Sequence, residues 1–316
     1  MGRYILGRLG GLMLVLLAST LLTFILLHAV PAGPFDMMEI KANKIITQEV
    51  KDSLAKQYGL DKPLYQQYLL FMWNAVHLNF GTSFYSSRPI MTILITQWPY
   101  SLQLALFTIA FGFSIGLAMG VGAAIRSGSW LDFAGTALSL FCMAIPSFIF
   151  ALFLQIIFGV RLHWVLTTGV SLGFGNLKQW VLPVIANSLG IILTLQRYSR
   201  ASIANVMRSN YVRTARSKGL TERRITFVHI FKNGLTPVVT VGGPILASLI
   251  TGSIFVESIF RIPGVGGLFA GGATSRDYNL VLGSSILFTV IISVTYMVTD
   301  LVYALLDPRV SYVKES

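Results

Sequence analysis

The sequence predicts an all-α, polytopic membrane protein with six membrane-crossing helices, and three observations carry that expectation. Of its 316 residues, 54% are hydrophobic and only 11% charged, with a mean hydropathy of +0.71; a soluble domain has roughly 25% charged residues. Six apolar runs reach or approach the length that crosses a hydrocarbon core, about 20 helical residues. The net charge of +12 sits in segments between those runs and not in a basic domain, so it reports topology and argues against a nucleic-acid partner.

The first run, residues 5–30, follows Arg3 and Arg8 and ends in Val30-Pro31-Ala32-Gly33-Pro34. It is longer than a signal peptide's apolar region and lacks its small-residue cleavage site, so residues 1–33 are expected to be a cytoplasmic tip and a retained span. Residues 34–99 are the one stretch of soluble character. There 47–58 has the spacing of an amphipathic helix stopped by Gly59, and Leu64, Tyr68, Phe71, Met72 and Ala75 mark a second helical face after Pro63. Both helices are expected on the outer membrane surface, as a docking surface or a cap.

Residues 100–316 hold the other five runs: 101–125, 133–160, 182–195, 238–255 and 280–306. The run 182–195 is short and must recruit Trp180, Gln196 or Arg197 to cross. With the N-terminus inside, the cytoplasmic segments hold 14 Lys or Arg residues; the two short outer loops hold 4, namely Arg161, Lys178, Arg261 and Arg276. Six more lie in the long 34–99 segment, which weighs little in the positive-inside rule. Both termini are therefore expected in the cytoplasm.

The most charged stretch is 197–237, where residues 197–232 hold nine Lys or Arg against the single acid Glu222. Ile203, Val206, Met207, Tyr211 and Ala215 recur at helical spacing and predict a first helix, with Arg200, Arg208, Arg213 and Arg216 on other faces. Gly219 after Lys218 suits the left-handed residue that closes a helix. Thr221 is the expected cap of a second helix, with Glu222 in its first turn and Ile225, Val228 and Phe231 on one side, ended by Gly234 and Pro237. Two short helices meeting at a glycine make a rigid knob that a partner protein can grip. A basic loop drawn to anionic lipid is the alternative.

Arg213-Thr214-Ala215, three residues, then Gly219 resembles the coupling loop of binding-protein-dependent ABC importer permeases, whose general pattern is Glu-Ala-Ala, three residues, Gly. Arg213 and Thr214 stand where that pattern has Glu and the first Ala, and Lys232 where it has Pro. These departures are similar to the peptide branch, with its forms close to YVRTARSKGL. The resemblance implies an ATPase-coupling loop made of Tyr211, Arg213, Thr214, Ala215, Arg216, Lys218, Gly219, Leu220, Glu222 and Arg223. GLDKPLYQQY followed by NFGTSF, and VESIFRIPGVGG followed by Arg276-Asp277-Tyr278, resemble outer segments of the same branch. They place Glu257, Arg261, Pro263, Gly264, Gly266, Arg276 and Asp277 at an outer turn that is either purely structural or a contact for a binding protein. Pro263-Gly264 fits a tight turn, and Glu257 lies one helical turn from Arg261, an expected ion pair.

The resemblance covers nearly the whole chain. It implies a type I ABC importer permease fold and the role of first permease subunit in an oligopeptide importer. It also implies a second homologous permease, two ABC ATPase subunits, an extracytoplasmic peptide-binding protein and surrounding membrane lipid, in a bacterial or archaeal inner or plasma membrane. Relatives sharing these signatures move nickel complexes, glutathione or other small solutes.

The sequence has no Walker A pattern, so no cofactor is expected in this chain; ATP and Mg belong to the partner ATPases. Phe269 stands where a dinucleotide fingerprint starting at Gly264 needs its third glycine. His28, His77, His163 and His229 show no zinc spacing, and Cys142 is the only cysteine. With no recognisable nucleophile and base, a transport subunit is expected and not an enzyme. Gly242, Gly243, Pro244, Thr251 and Gly252 in the fifth run are candidates for a gate or pathway, with tight packing the equal alternative. Pro146 in the third run reads as a packing residue. Asp300, about two turns inside the last run counting from Asp307, needs a partner, for which Arg197, Arg200 or Arg8 is expected. A structural pair is favoured over proton coupling, because no chain of intramembrane acids accompanies it. An ion-coupled secondary carrier would show inverted repeats with broken helices, and none is visible.

Overall fold

The computed structural model describes residues 2–31, 33–42, 46–165 and 169–306. Among them every regular element is helical, apart from one isolated β-bridge between Thr82 and Pro89. Five helices are long and apolar enough to cross a membrane, or six if the bent pair Asp132–Met143 and Ser147–Arg161 is one span. Asp307, from which the depth of Asp300 is counted, and Arg309 and Lys314, two of the 14 basic residues assigned to the cytoplasmic segments, lie outside the described residues. The described residues form two compact units, one within 2–100 and 263–293, the other within 101–262 and 294–306.

In the first unit, α1 (Gly2–Ala29) is the first span, followed by α2 (Pro34–Ala42), α3 (Gln48–Tyr58) and α4 (Leu64–Val76). Gly59 ends α3 at φ +71°, and the N–H groups of Gly59 and Leu60 return to the carbonyls of Lys56 and Ala55, a closure that favours glycine. α4 packs on the first span. The Tyr68 hydroxyl lies 3.1 Å from Thr20 Oγ1, and its ring meets Phe24 edge-on at 5.4 Å. Phe24 and Leu27 then join Phe84, Tyr278, Val281 and Leu282 in one core, while Phe80, Ile90, Ile93, Leu94, Val265 and Leu280 form another. Where the sequence suggested only a turn, Val265–Ser275 forms a helix, α14, leading to α15 (Tyr278–Leu306).

Three findings revise the spans. The second span, α5 (Ile90–Ile125), has 36 residues, about 54 Å at 1.5 Å per residue against a hydrocarbon core of roughly 30 Å; it begins well before the apolar run at 101. The third run is broken into α6 (Trp130–Met143) and α7 (Ser147–Leu154), the latter continued by a π-helical turn, Gln155–Arg161. The two halves are bent by 95°. Pro146 therefore breaks the run and is not simply a packing residue: it lacks an N–H, clashes with the preceding turn and adopts ψ 136°. The short fourth run is part of α8 (Lys178–Met207), which gains its length by absorbing the first half of the expected elbow helix. The fifth run is α12 (Thr236–Ile250) and α13 (Ile254–Ile259).

Within the second unit α5 and α8 approach closely along Gly112, Gly116 and Gly120. A Cβ on Gly116 would sit 2.9 Å from Leu195 Cβ, and one on Gly120 would sit 2.7 Å from the Gln196 carbonyl. Small residues at four-residue spacing allow this backbone approach.

Candidate functional site

The basic elbow is built from the end of α8 onward. Ser209 interrupts the expected first helix. Its backbone is extended (φ −72°, ψ 151°), it occupies the cap position of α9 (Asn210–Ser217) without a side-chain cap bond, and its hydroxyl donates instead to the Val206 carbonyl at 2.6 Å. A serine that bonds locally to the backbone competes with helix continuation, which is why one predicted helix is two. Gly219 then turns the chain at φ +75°, with its N–H on the Arg216 carbonyl at 2.9 Å and that of Leu220 on Ala215 at 3.3 Å. After Thr221, which occupies the cap position without a side-chain cap bond, residues 222–234 are helical throughout: α10 (Glu222–Arg224), a π-helical turn Ile225–Phe231, and α11 (Lys232–Gly234).

That π turn corrects the predicted apolar face. Bonding from i to i+5 brings Ile225 and Ile230 to the same inward side, whereas Val228 is 50% exposed. Ile225 and Ile230 join Val212, Ala215, Ile203 of α8 and Ala124 of α5 in a closed core. Burial of each Val or Ile side chain contributes roughly 1.5–3 kcal/mol, so the knob is seated by its own packing. Ala215 works inside the knob, where a larger side chain would meet this core, and Gly234 lets the second arm approach Ile203 of α8.

The elbow's outer surface is cationic. Tyr211, Arg213, Thr214, Lys218 and Arg223 are exposed, and Leu220 is half-buried. Arg216 and Glu222 join the two arms across Gly219 with hydrogen bonds of 2.8 and 3.3 Å. That hydrogen bonding draws the Glu222 carboxyl below the usual carboxylate range and raises the Arg216 guanidinium. Arg224 and Phe227, which sequence reasoning passed over, line a shallow groove with Thr221 and Arg223. The i, i+4 spacing of Arg223 and Phe227 was the available signal.

The segment 257–277 divides between the two units. In the second, Glu257 is fully buried and accepts from Ser101 Oγ at 2.7 Å and from the Ser253 N–H at 3.2 Å. The expected Glu257–Arg261 pair does not form: Arg261 follows α13 at φ +51° and is exposed. In the first unit Pro263 is exposed, but Pro263-Gly264 makes no tight turn; Gly264 is extended (φ −105°, ψ 170°) and caps α14, in which Gly266 is buried. Arg276 closes α14 at φ +60°, and Asp277 is 1% exposed. Asp277 accepts from Ser83 Oγ at 2.5 Å and from the Leu280 N–H at 3.3 Å, and burial pushes its carboxyl up. Asn279 donates to the Thr82 carbonyl at 2.9 Å, and the Tyr85 hydroxyl donates to that of Ser275. Residues 275–279 thus staple the 82–85 segment.

The family described as binding-protein-dependent transport system inner membrane component matches residues 112–312, and the model of that component's N-terminal part matches residues 1–105. The chain belongs to this permease family. It is 34% identical to the dipeptide transport system permease protein DppB of Lactococcus lactis subsp. cremoris over 98% of this chain and 99% of the relative. It is also 34% identical to the oligopeptide transport system permease protein AppB of Bacillus subtilis (99% and 100% covered) and to OppB of Escherichia coli K12 (92% and 93%). A solved structure titled as inward facing conformations of the MetNI methionine ABC transporter matches with a TM-score of 0.54 at 17% identity, over 69% of this chain and 97% of that one. The likeness shows the type I importer permease fold.

In this permease the fifth-run candidates part company. Gly242 and Gly243 are buried, the first against Phe113, the second so close to α15 that a Cβ would lie 2.5 Å from Thr299 Cγ2. Their size serves packing. Pro244 is exposed, Thr251 ends α12, and Gly252 at φ +93° makes the break before α13. Asp300 is half-buried on α15. Of its expected partners, Arg200 instead clasps Asp132 through two hydrogen bonds, and Arg197 reaches Met143 Sδ at 3.3 Å. Among the described residues no group of three or more His, Cys, Asp or Glu is placed to hold a metal.

Proposed function

We propose that this chain is the permease subunit forming half of the translocation pathway of an ABC importer for dipeptides or oligopeptides. One observation carries the reading: a small cationic knob with a closed core, seated on a membrane helix and exposing its charged face, in a chain of this family. The knob faces the cytoplasm, both termini are cytoplasmic, and the segment between α1 and α5 lies outside. A second homologous permease completes the pathway, two ABC ATPases bind ATP and Mg, and an extracytoplasmic binding protein delivers peptide. The chain itself performs no covalent chemistry.

The mechanism follows from the elbow's construction. The ATPase grips Arg213, Lys218, Arg223 and the groove at Phe227 more tightly in its ATP-closed state, and that difference in affinity is what shifts the permease between conformations. The rigid core around Val212, Ala215, Ile225 and Ile230 passes the displacement to α8 and α5 without loss in a flexible loop. Uptake of a labelled tripeptide into proteoliposomes holding the complete complex, with ATP on the elbow side, tests this. Uptake should require ATP and binding protein, and unlabelled peptides should compete better than nickel complexes or glutathione. Gly219→Pro should leave ATP hydrolysis running while uptake stops, because proline cannot adopt φ +75° and lacks the N–H that bonds Arg216. ATP-independent uptake driven by a proton gradient would overturn the reading.

A further inference from the structure

The first turn of α6, which no resemblance marks, contains the buried carboxylate of Asp132. It is 3% exposed and is held from two directions. Arg200 on α8 donates to both of its oxygens, from Nε and from Nη2. The Gly128 N–H donates to Oδ2 at 3.0 Å, and the N–H of Asp132 itself bonds Ser129 Oγ at 3.3 Å, so the carboxylate also fixes the turn into α6. Two turns along α6, Ser139 Oγ donates to Gln196 Oε1 at 2.8 Å, and Gln196 is 1% exposed. α6 is thus tied to α8 at two points, 132 to 200 and 139 to 196.

With its guanidinium about a third exposed, the pair is partly screened by solvent and is not needed merely to hold two apolar helices together, which hydrophobic packing would do as well. What such a pair supplies is register, since the planar guanidinium accepts one geometry. The register point sits one helical turn from Ile203, the residue by which α8 enters the elbow's core. It joins that residue to α6, the first half of the span bent by 95° at Pro146.

We propose that Asp132 and Arg200 are positioning residues of the transport cycle: their pair transmits displacement of the elbow from α8 to the bent α6–α7 span. The inference rests on the function proposed above. In that cycle α8 is the strut, the knob is its handle, and the Asp132 clamp makes the bent span follow it. Without the clamp the elbow still docks and ATP is still hydrolysed, but α6 slips on α8.

The test uses the complete complex in proteoliposomes and reads peptide taken up per ATP hydrolysed, together with the thermal unfolding midpoint of the purified complex. Asp132→Asn, Arg200→Gln and the double variant should each lower that ratio at least ~5-fold, the lower end of a typical coupling free energy. The double variant should be no worse than either single one, because they break one contact. Arg200→Lys, which keeps the charge but loses the fork, should fall between. Variants that couple like the parent would overturn the proposal whether or not they unfold earlier, and so would additive losses. Failure of all the variants, Arg200→Lys included, to assemble would make the pair a structural clamp and overturn it too. A parent complex with no ATP-driven uptake would instead sink the underlying function.

Discussion

At φ +75° Gly219 occupies backbone space where an L side chain is strained by roughly 1–2 kcal/mol, although nothing lies within 4 Å of the place a Cβ would take. The residue is glycine for its backbone alone. Asp277 is the opposite case, a side chain whose surroundings decide its chemistry. Burial raises its carboxyl above the ordinary aspartate value of 3.8, against the lowering effect of its hydrogen bonds from Ser83 and Leu280. A carboxyl raised in the folded state holds its proton more tightly there than in the unfolded chain. Its contribution to stability is therefore fully present below 3.8 and is lost as pH rises through the folded value. The thermal unfolding midpoint of the parent, minus that of Asp277→Asn, should accordingly decline from acid to neutral pH. A difference that is flat or rises with pH would contradict the assignment.

Among the elements, legibility followed the period of the pattern. α3, with its Gly59 stop, and the turn at Gly219 were visible because their apolar spacing and terminal glycines agree. The face of the second elbow arm was misread because a π turn groups residues five apart, and Ile225, Val228 and Phe231 match the α period equally well on paper. The α5–α8 contact was missed for another reason: Gly112, Gly116 and Gly120 lie in a run that is apolar on every side, where nothing in composition separates a packed glycine from a lipid-facing one. The structure separates them. Gly120→Ala forces its new methyl against the Gln196 carbonyl and the Ser199 side chain, while Gly122, two residues on, has nothing within 4 Å of the corresponding position. Overpacking of this kind costs about 1–3 kcal/mol. Gly120→Ala should lower the thermal midpoint of the purified protein, and Gly122→Ala should leave it unchanged or slightly raised by helix propensity. Equal effects of the two would show that the α5–α8 approach is not as close as described.

For the whole molecule, hydropathy was enough to reveal an all-helical membrane protein, and one short motif with its glycine was enough to suggest the family. Partner choice among buried polar groups was not readable, since it depends on which helices meet: Glu257 found Ser101, Arg200 found Asp132, and neither pairing has a sequence signature. Orientation stands between these cases, because it rests on the placement of Lys and Arg and not on a contact. The nine basic residues of the elbow stretch dominate the bias and should hold that end in the cytoplasm. With Cys142 replaced by serine, single cysteines at Lys218 in the elbow and at Asp61 between α3 and α4, both exposed, report the two sides. A membrane-impermeant maleimide applied to spheroplasts should label the Asp61→Cys protein at once and the Lys218→Cys protein only after permeabilisation. Labelling of Lys218→Cys in sealed spheroplasts would turn the molecule over and leave its cationic knob with no ATPase to meet.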